Sequence, residues 1–299
     1  MRLIDVRAWL SRRPEAALPA TLPSARIAPA GPEAVPAAPG QGAAAGKARA
    51  ALRSRLWGEG FVGPGGAEEV IRLATPLGLS AASSLLLLGC GAGGPARCVA
   101  SLFGAWIEAV EADPALVAAA AAICAEAGLG KRARVAACPP GAPDFAASSA
   151  HHVLAIDPFH LAPAPVLIEA ARRALRPGGL ISMVATVSGP GFDPAGAEET
   201  AWMVSAEAAP PPPVASVSQG LAERGFDVRV SEDQTHAHLH QIVESWRVLV
   251  RTMRAAGERP GPIAAAVLVH EAEAWLRRAR LLRAGRLRWV RWLAIARRD

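Results

Sequence analysis

Glycines at 89, 91, 93 and 94, an acid at 111, and an aspartate and a histidine at 157 and 160 are the residues whose types and spacing could do chemistry. Gly89, Gly91 and Gly94 satisfy G-x-G-x-x-G, with Cys90 and Gly93 inside the turn. Backbone left bare in this way approaches a nucleotide-like ligand with no side chain intervening. Glu111 follows about twenty residues later, where nucleotide-binding sheets place a carboxylate that accepts both hydroxyls of a ribose. Asp157 and His160 end a later apolar run, at the edge where open parallel sheets bind ligands. A third group, Glu232, Asp233, His236, His238 and His240, lies far downstream. His236 and His240 are spaced i, i+4 and share a helix face. No glutamate stands between them in the metalloprotease position and no third ligand suggests itself, so no metal site is expected.

These residues need a scaffold to position them. Four leucines at 85–88, closed by glycine, read as a strand buried on both faces, followed by a helix over 95–103. The stretch 106–114 reads as a second strand ending in acid and carries Glu111, and an alanine-rich helix over 114–129 stops at Gly128 and Gly130. Further strands are predicted over 134–138, 151–156, 181–187, 226–230 and 287–296, with a helix over 163–175. A basic helix is expected over 48–56 and an amphipathic one over 66–77. Residues 236–257 and 263–284 read as two helices, the first capped by Thr235. Residues 1–46 are rich in alanine and proline and read as an extended, largely disordered arm. That leaves one domain over 47–299, with 188–218 and 236–284 as lid or insertion segments. For the tail, the alternative is a basic amphipathic helix lying on lipid.

The run Leu86-Leu87-Leu88-Gly89-Cys90-Gly91-Ala92-Gly93-Gly94, followed by Val110-Glu111-Ala112-Asp113-Pro114, resembles the S-adenosylmethionine (SAM) site of the class I methyltransferases. The resemblance implies a Rossmann-like α/β fold with a seven-stranded, mostly parallel sheet of order 3-2-1-4-5-7-6, its last strand antiparallel. It implies SAM as cofactor and methyl transfer by in-line displacement to a small-molecule acceptor, an amine or lipid precursor. Gly89, Cys90, Gly91 and Gly93 would then pass close to the methionine part of SAM. Glu111 and Ala112 would hold the adenosine, Cys138 would stand at the adenine, and Asp157 would border the site. The stretch from Leu56 to Gly66 resembles the latch of phosphoethanolamine-type N-methyltransferases, which covers the cofactor, here with Trp57, Phe61 and Gly66. Arg176-Pro177-Gly178-Gly179 before a strand is a further mark of the class. Glu232, Asp233 and His236 would face the substrate. His160 and His236 are the candidate bases, needed only if the acceptor arrives protonated.

Several positions depart from the pattern. Leu87 stands where the family carries the acid that holds the cofactor's ammonium. Losing one charge-assisted hydrogen bond of about 1.5–3 kcal/mol weakens affinity by roughly one to two powers of ten. Phe61 replaces a tyrosine, Gly63 a serine and His152 an aspartate, and Pro139 follows Cys138 where an aspartate usually meets the adenine amine. These changes give a second reading: a catalytically degenerate protein that binds SAM, its demethylated product S-adenosylhomocysteine (SAH), or a protein partner. A nicotinamide-dependent dehydrogenase is disfavoured because no second mononucleotide-binding half follows.

Composition narrows the partners. The net charge of +6 is unevenly placed: residues 1–56 hold nine Lys/Arg against three acids, and residues 277–299 hold nine arginines against Asp299. The body over 57–276 is acidic, with 14 basic and 22 acidic residues, which is unlike a nucleic-acid binder. Basic ends are compatible with an anionic phospholipid surface, and a protein partner or homo-oligomer stays open. Tyrosine is absent, so no phenol can act as acid or base. The uncharged run 73–96 is broken by Pro76, Pro95 and glycines, which fits strand and turn better than a membrane span. Arg2, Asp5 and Arg7 precede no apolar stretch, so no secretory signal is read. The four cysteines have no paired spacing and read as reduced thiols of a cytoplasmic protein.

Overall fold

The structure, a computed structural model, describes residues 41–297. Most of the expected arm, residues 1–40, lies outside the described residues. Its last six residues are helical, because α1 (Gln41–Trp57) starts ahead of the expected position 48. No proline lies between Pro39 and Pro64, and alanine favours helix once proline stops.

Seven strands form one sheet in the order β3-β2-β1-β4-β5-β7-β6, as the resemblance implies. They are β1 (Ser84–Leu88), β2 (Trp106–Glu111), β3 (Ala133–Ala137), β4 (Ala150–Ile156), β5 (Leu175–Ser188), β6 (Phe226–Asp233) and β7 (Leu287–Ala296). The first five are parallel, while β7 runs antiparallel between β5 and β6. Strand order reverses between β1 and β4, which opens a crevice at their carboxyl ends.

The leucine run alternates between two cores. Leu85 and Leu87 pack with Leu73 of α2 (Gly66–Ala74), Val99 of α3 (Gly94–Phe103) and Ala120 of α4 (Pro114–Glu126). Leu86 and Leu88 face the opposite side, with Leu167 of α5 (Ala164–Ala174) and Leu221 of α7 (Val214–Glu223). A third cluster is entirely helical. It joins Leu52 and Trp57 of α1, Trp202 of α6 (Ala197–Ala206), Ile242 and Trp246 of α8 (Thr235–Ala255), and Leu281 of α9 (Pro262–Arg283). The segment expected as an insertion over 188–218 thus supplies α6 and the start of α7, and 236–284 supplies α8 and α9. The tail is the strand β7, not a lipid-bound helix.

Two expectations need correction. The strand β5 begins at Leu175, not 181: Leu175 pairs with Ala150 and Leu180 with His152, so Arg176–Gly179 bulge out of a continuous ladder. Thr235 does not cap α8. Its hydroxyl accepts from the Trp289 backbone N–H at 3.0 Å, and Asp233 Oδ1 accepts from the Thr235 N–H at 2.9 Å. No helix among the described residues is long and apolar enough to cross a membrane.

Gly89 shows why the crevice needs glycine. Its φ is +75°, and a Cβ there would stand 2.3 Å from the Ile156 carbonyl oxygen of β4. Gly89→Ala is therefore expected to cost at least about 2 kcal/mol, from left-handed strain plus overpacking. Urea unfolding measures it, and an unchanged midpoint would contradict this packing.

Candidate active site

The crevice holds a cavity of about 270 Å³ floored by Gly89, Gly91, Glu111, Ile156 and Asp157. Its roof comes from the latch and the helical cap. Phe61, Val62 and Gly66 close one side, and Arg53, Trp202, Glu271, Trp275 and Arg278 the other.

Glu111 is the best-anchored group on the floor. Its carboxylate is 2 % exposed and accepts from the Gly91 and Ala112 backbone N–H groups, each at 2.9 Å. Its third partner is His160, whose Nε2 lies 2.6 Å from Oε1. His160 Nδ1 lies 2.9 Å from the Asp157 carbonyl oxygen. With the Glu111 carboxyl ionised both oxygens accept, an arrangement that favours the doubly protonated ring. Burial would lower the His160 pKa, but the Glu111 hydrogen bond and charge, aided by Asp157, lift it above the usual value. Burial likewise opposes ionisation of Glu111, yet His160 and the two amides hold its carboxyl below the usual range.

Asp157 follows β4 with φ +44°, a left-handed conformation that is strained for a non-glycine residue. It is held by Thr186, whose N–H and hydroxyl donate to its two carboxylate oxygens at 2.8 and 2.9 Å. Thr186 Oγ1 also accepts from Arg278 Nη2 at 2.8 Å. The same Nη2 lies 3.3 Å from Nε2 of His238, a buried ring stacked on Trp289 with centroids 4.2 Å apart. Burial, reinforced by Arg278, pushes the His238 pKa well below the usual value. Arginine can only donate, so the neutral ring accepts through Nε2, and its lone pair is not free to act as a base.

The latch is fastened to the glycine turn. Gly94 N–H donates to the Gly60 carbonyl at 2.9 Å, and a Cβ on Gly91 would meet Val62 Cγ2 at 3.0 Å. Arg97 of α3 also holds the latch, donating to the Glu59 carboxylate and, at 3.0 Å, to its carbonyl. Opening this side therefore breaks these bonds and lifts Val62 and Phe61 off the floor.

The structure brings together Phe61, Gly66, Gly89, Gly91, Glu111, Asp157 and His160. Trp57 instead packs on Trp275 behind the cavity wall, centroids 4.8 Å apart. Cys90 and Cys138 are buried beside the floor, and burial with the nearby Glu111 charge pushes the Cys90 thiol up to about 12. Gly93 packs on Ala120, and Ala112 meets the site only through its N–H. Glu232, Asp233 and His236 stand away from the cavity. Glu232 accepts from Gln234 at 2.9 Å, Asp233 is 3.2 Å from Arg288, and His236 is exposed. The histidine of that cluster that reaches the cavity is His238, two residues on. Sequence reasoning also missed Glu271, Trp275 and Arg278, although their i, i+4, i+7 spacing marks one face of a helix. The basic C-terminal end is largely engaged: Arg286, Arg288 and Arg291 meet Glu199, Asp233 and Glu232 at 3.2, 3.2 and 3.6 Å. Among the described residues no cluster of three or more His, Cys, Asp or Glu could hold a metal ion.

Comparison with known proteins bears on the chain at this point. Residues 85–179 match a family described as a methyltransferase domain. No curated protein matches. Among solved structures, Haemonchus contortus phosphoethanolamine N-methyltransferase 2, in complex with phosphomonomethylethanolamine and SAH, aligns with a TM-score of 0.71 at 19% identity. That alignment covers 82% of this chain and 56% of that one, so the chain spans little more than half of it. Geranyl diphosphate C-methyltransferase from Streptomyces coelicolor A3(2), in complex with Mg2+, geranyl diphosphate and SAH, aligns at 0.60 and 16% identity over 76% of each chain. The [4+2]-cyclase SpnF aligns at 0.65 and 18% identity, over 87% of this chain and 96% of that one. Residues 85–179 thus match a methyltransferase domain, within a chain that has the fold of the class I S-adenosylmethionine-dependent methyltransferases.

Proposed function

We propose that this chain transfers a methyl group from SAM to a small-molecule acceptor by in-line displacement, an amine or lipid precursor being the first class to test. The observation that carries this reading is Glu111: a buried carboxylate fixed by two backbone amides beside bare glycine floor at the switch point. Such an acid fits the paired hydroxyls of a ribose. Gly89 and Gly91 line the cavity beside it with bare backbone, which fits the methionine part of the cofactor.

The cofactor would supply an electrophilic methyl on a sulfonium. The protein's part is to align and to exclude water. Phe61, Val62 and the indoles of Trp202, Trp275 and Trp289 wall the cavity, and alignment alone is worth roughly 7–11 kcal/mol. At about 270 Å³ the cavity is just below the usual ligand range of roughly 300–1,000 Å³. Lifting the latch would widen it for cofactor and acceptor together. His160 acts as a base only after it leaves Glu111 and loses a proton, whereas His236 stands outside the cavity and has no access to an acceptor there. A cytoplasmic location belongs to the same reading, which the four free cysteines support.

One observation favours the degenerate reading: the ribose acid is already paired with His160, while Leu87 offers no carboxylate for the ammonium. The likeness to SpnF adds that this fold also occurs in a protein described as a cyclase. Calorimetry with SAH, followed by transfer of labelled methyl from SAM to a panel of amines and lipid precursors, separates the two. SAH binding without transfer to any acceptor would favour the degenerate protein, and no SAH binding would end both cofactor readings.

The pair also predicts a pH dependence. His160 has its pKa raised, so its contribution to stability is complete below the unfolded value near 6.5 and is lost as pH climbs through the folded value. Glu111 has its pKa lowered, so its contribution is present above the unfolded value and is lost as pH falls through the folded one. Protonated His160 competes with ribose for the same carboxylate. SAH affinity is therefore expected to rise with pH above 6.5 while the melting temperature of the free protein falls. His160→Ala should bind SAH with a flat profile over that range. A parallel slope in the variant would remove His160 from the explanation.

A further inference from the structure

The carboxylates of the cavity have close cations of their own, but one of the cavity's cations retains unused donors. Glu69 lies 2.6 Å from Arg72, Glu111 2.6 Å from His160, and Glu271 2.9 Å from Arg53. Asp157 is the exception, with Oδ2 3.9 Å from Arg278 and already accepting from Thr186. Arg278 is thus held by a hydroxyl, a neutral imidazole and a long ion pair, all through Nη2. Its Nε is buried with no partner, and Nη1 makes no hydrogen bond among the described residues. The rings of Trp275 and Trp289 each lie 5.6 Å from its guanidinium carbon, which favours the cation and offers aromatic wall beside it.

We infer that Arg278 is the docking point for a carboxylate on the acceptor, whose apolar or aromatic body lies against Trp275 and Trp289. This rests on the methyltransferase reading and narrows its acceptor. An isolated guanidinium removed from water stays charged and demands a counter-charge, and a carboxylate matches its donors in plane. A monoanion fits better than a phosphate dianion. The second negative charge would sit near Asp157, Glu271 and Glu111 in a cavity with one incompletely paired cation. The position is right for an acceptor as well. Arg278 meets Asp157, Asp157 meets His160, and His160 meets Glu111, so three contacts separate the guanidinium, on the cap side, from the carboxylate proposed to hold the ribose. His238 is a positioning residue: its stacked ring and Nε2 aim Nη2, leaving Nη1 for the ligand.

The test uses the full chain saturated with SAH and titrates phenylacetate, indole-3-acetate, their uncharged amides, and phenyl phosphate by calorimetry. The acids are expected to bind at least about tenfold more tightly than the amides and than phenyl phosphate. Arg278→Met should erase that preference while moving the SAH affinity less than about twofold, and Arg278→Lys should restore part of it. Should Arg278→Met not fold, the acid-over-amide preference of the unaltered protein still decides the matter. SAH binding with equal affinity for acids and amides, or with neither bound at millimolar concentration, would overturn the assignment. A loss of SAH affinity in Arg278→Met that leaves the acid preference intact would also overturn it, placing the cofactor's own carboxylate on this arginine. Failure of SAH to bind the unaltered protein is a different result: it removes the methyltransferase reading, and this inference with it.

Discussion

Glu111→Ala is expected to weaken SAH binding by at least about a hundredfold. Two hydroxyl-to-carboxylate hydrogen bonds of about 1.5–3 kcal/mol each are at stake, and about 2.7 kcal/mol already corresponds to that factor. The variant also orphans the Gly91 N–H, which the carboxylate holds at 2.9 Å in a buried turn. An unsatisfied buried donor costs about 1–3 kcal/mol. The free protein should therefore melt lower, by roughly 2–4 °C for each kcal/mol at this chain length. The two effects are read separately. Thermal melts give the cost to the fold, and the shift on adding saturating SAH gives the loss of the ligand. A folded Glu111→Ala protein that keeps the full SAH-induced shift would mean that this carboxylate holds no ribose.

The second large effect concerns Leu87, which stands where the resemblance of the glycine turn calls for an acid. Restoring it is expected to fail. Leu87 is fully buried, paired in register with Ala109 of β2 and Leu154 of β4, and it packs in the same core as Leu73 and Val99. Leu87→Asp removes a buried aliphatic side chain and leaves a carboxyl without a partner. Together these should cost more than about 4 kcal/mol. A drop in melting temperature on the order of 10 °C, with no gain in SAH affinity, is the expected result. A stable Leu87→Asp protein with tighter SAH binding would show that position 87 faces the ligand.

Much of the sheet was legible because its signals are local. Four leucines ended by glycine can hardly be anything but a strand closed on both faces, and Glu111 ends the next apolar run at the distance a βαβ unit dictates. Placing β7 between β5 and β6 needed the family resemblance, since nothing in the alternation of Trp289 to Ile295 names its neighbours. The helical cap was the part that stayed hidden. His236 and His238 differ by two residues and so by more than half a helical turn, and only packing against Trp289 decides which one turns inward. Arg278 was read as one more charge in a basic end. Its role depends on Thr186, which is 92 residues away in the chain. The bulge at Arg176–Gly179 looked like a turn because proline and glycine mark both, and its return to the ladder at Leu180 depends on β4.

The cavity walls have a use that needs no label. Trp202, Trp275 and Trp289 are three of the eight tryptophans, and the chain has no tyrosine. Its near-ultraviolet emission is therefore indole emission alone, and three of the emitters stand where a ligand would displace water. Occupancy should register as a change in fluorescence intensity and wavelength, so the protein carries its own optical gauge of what enters it.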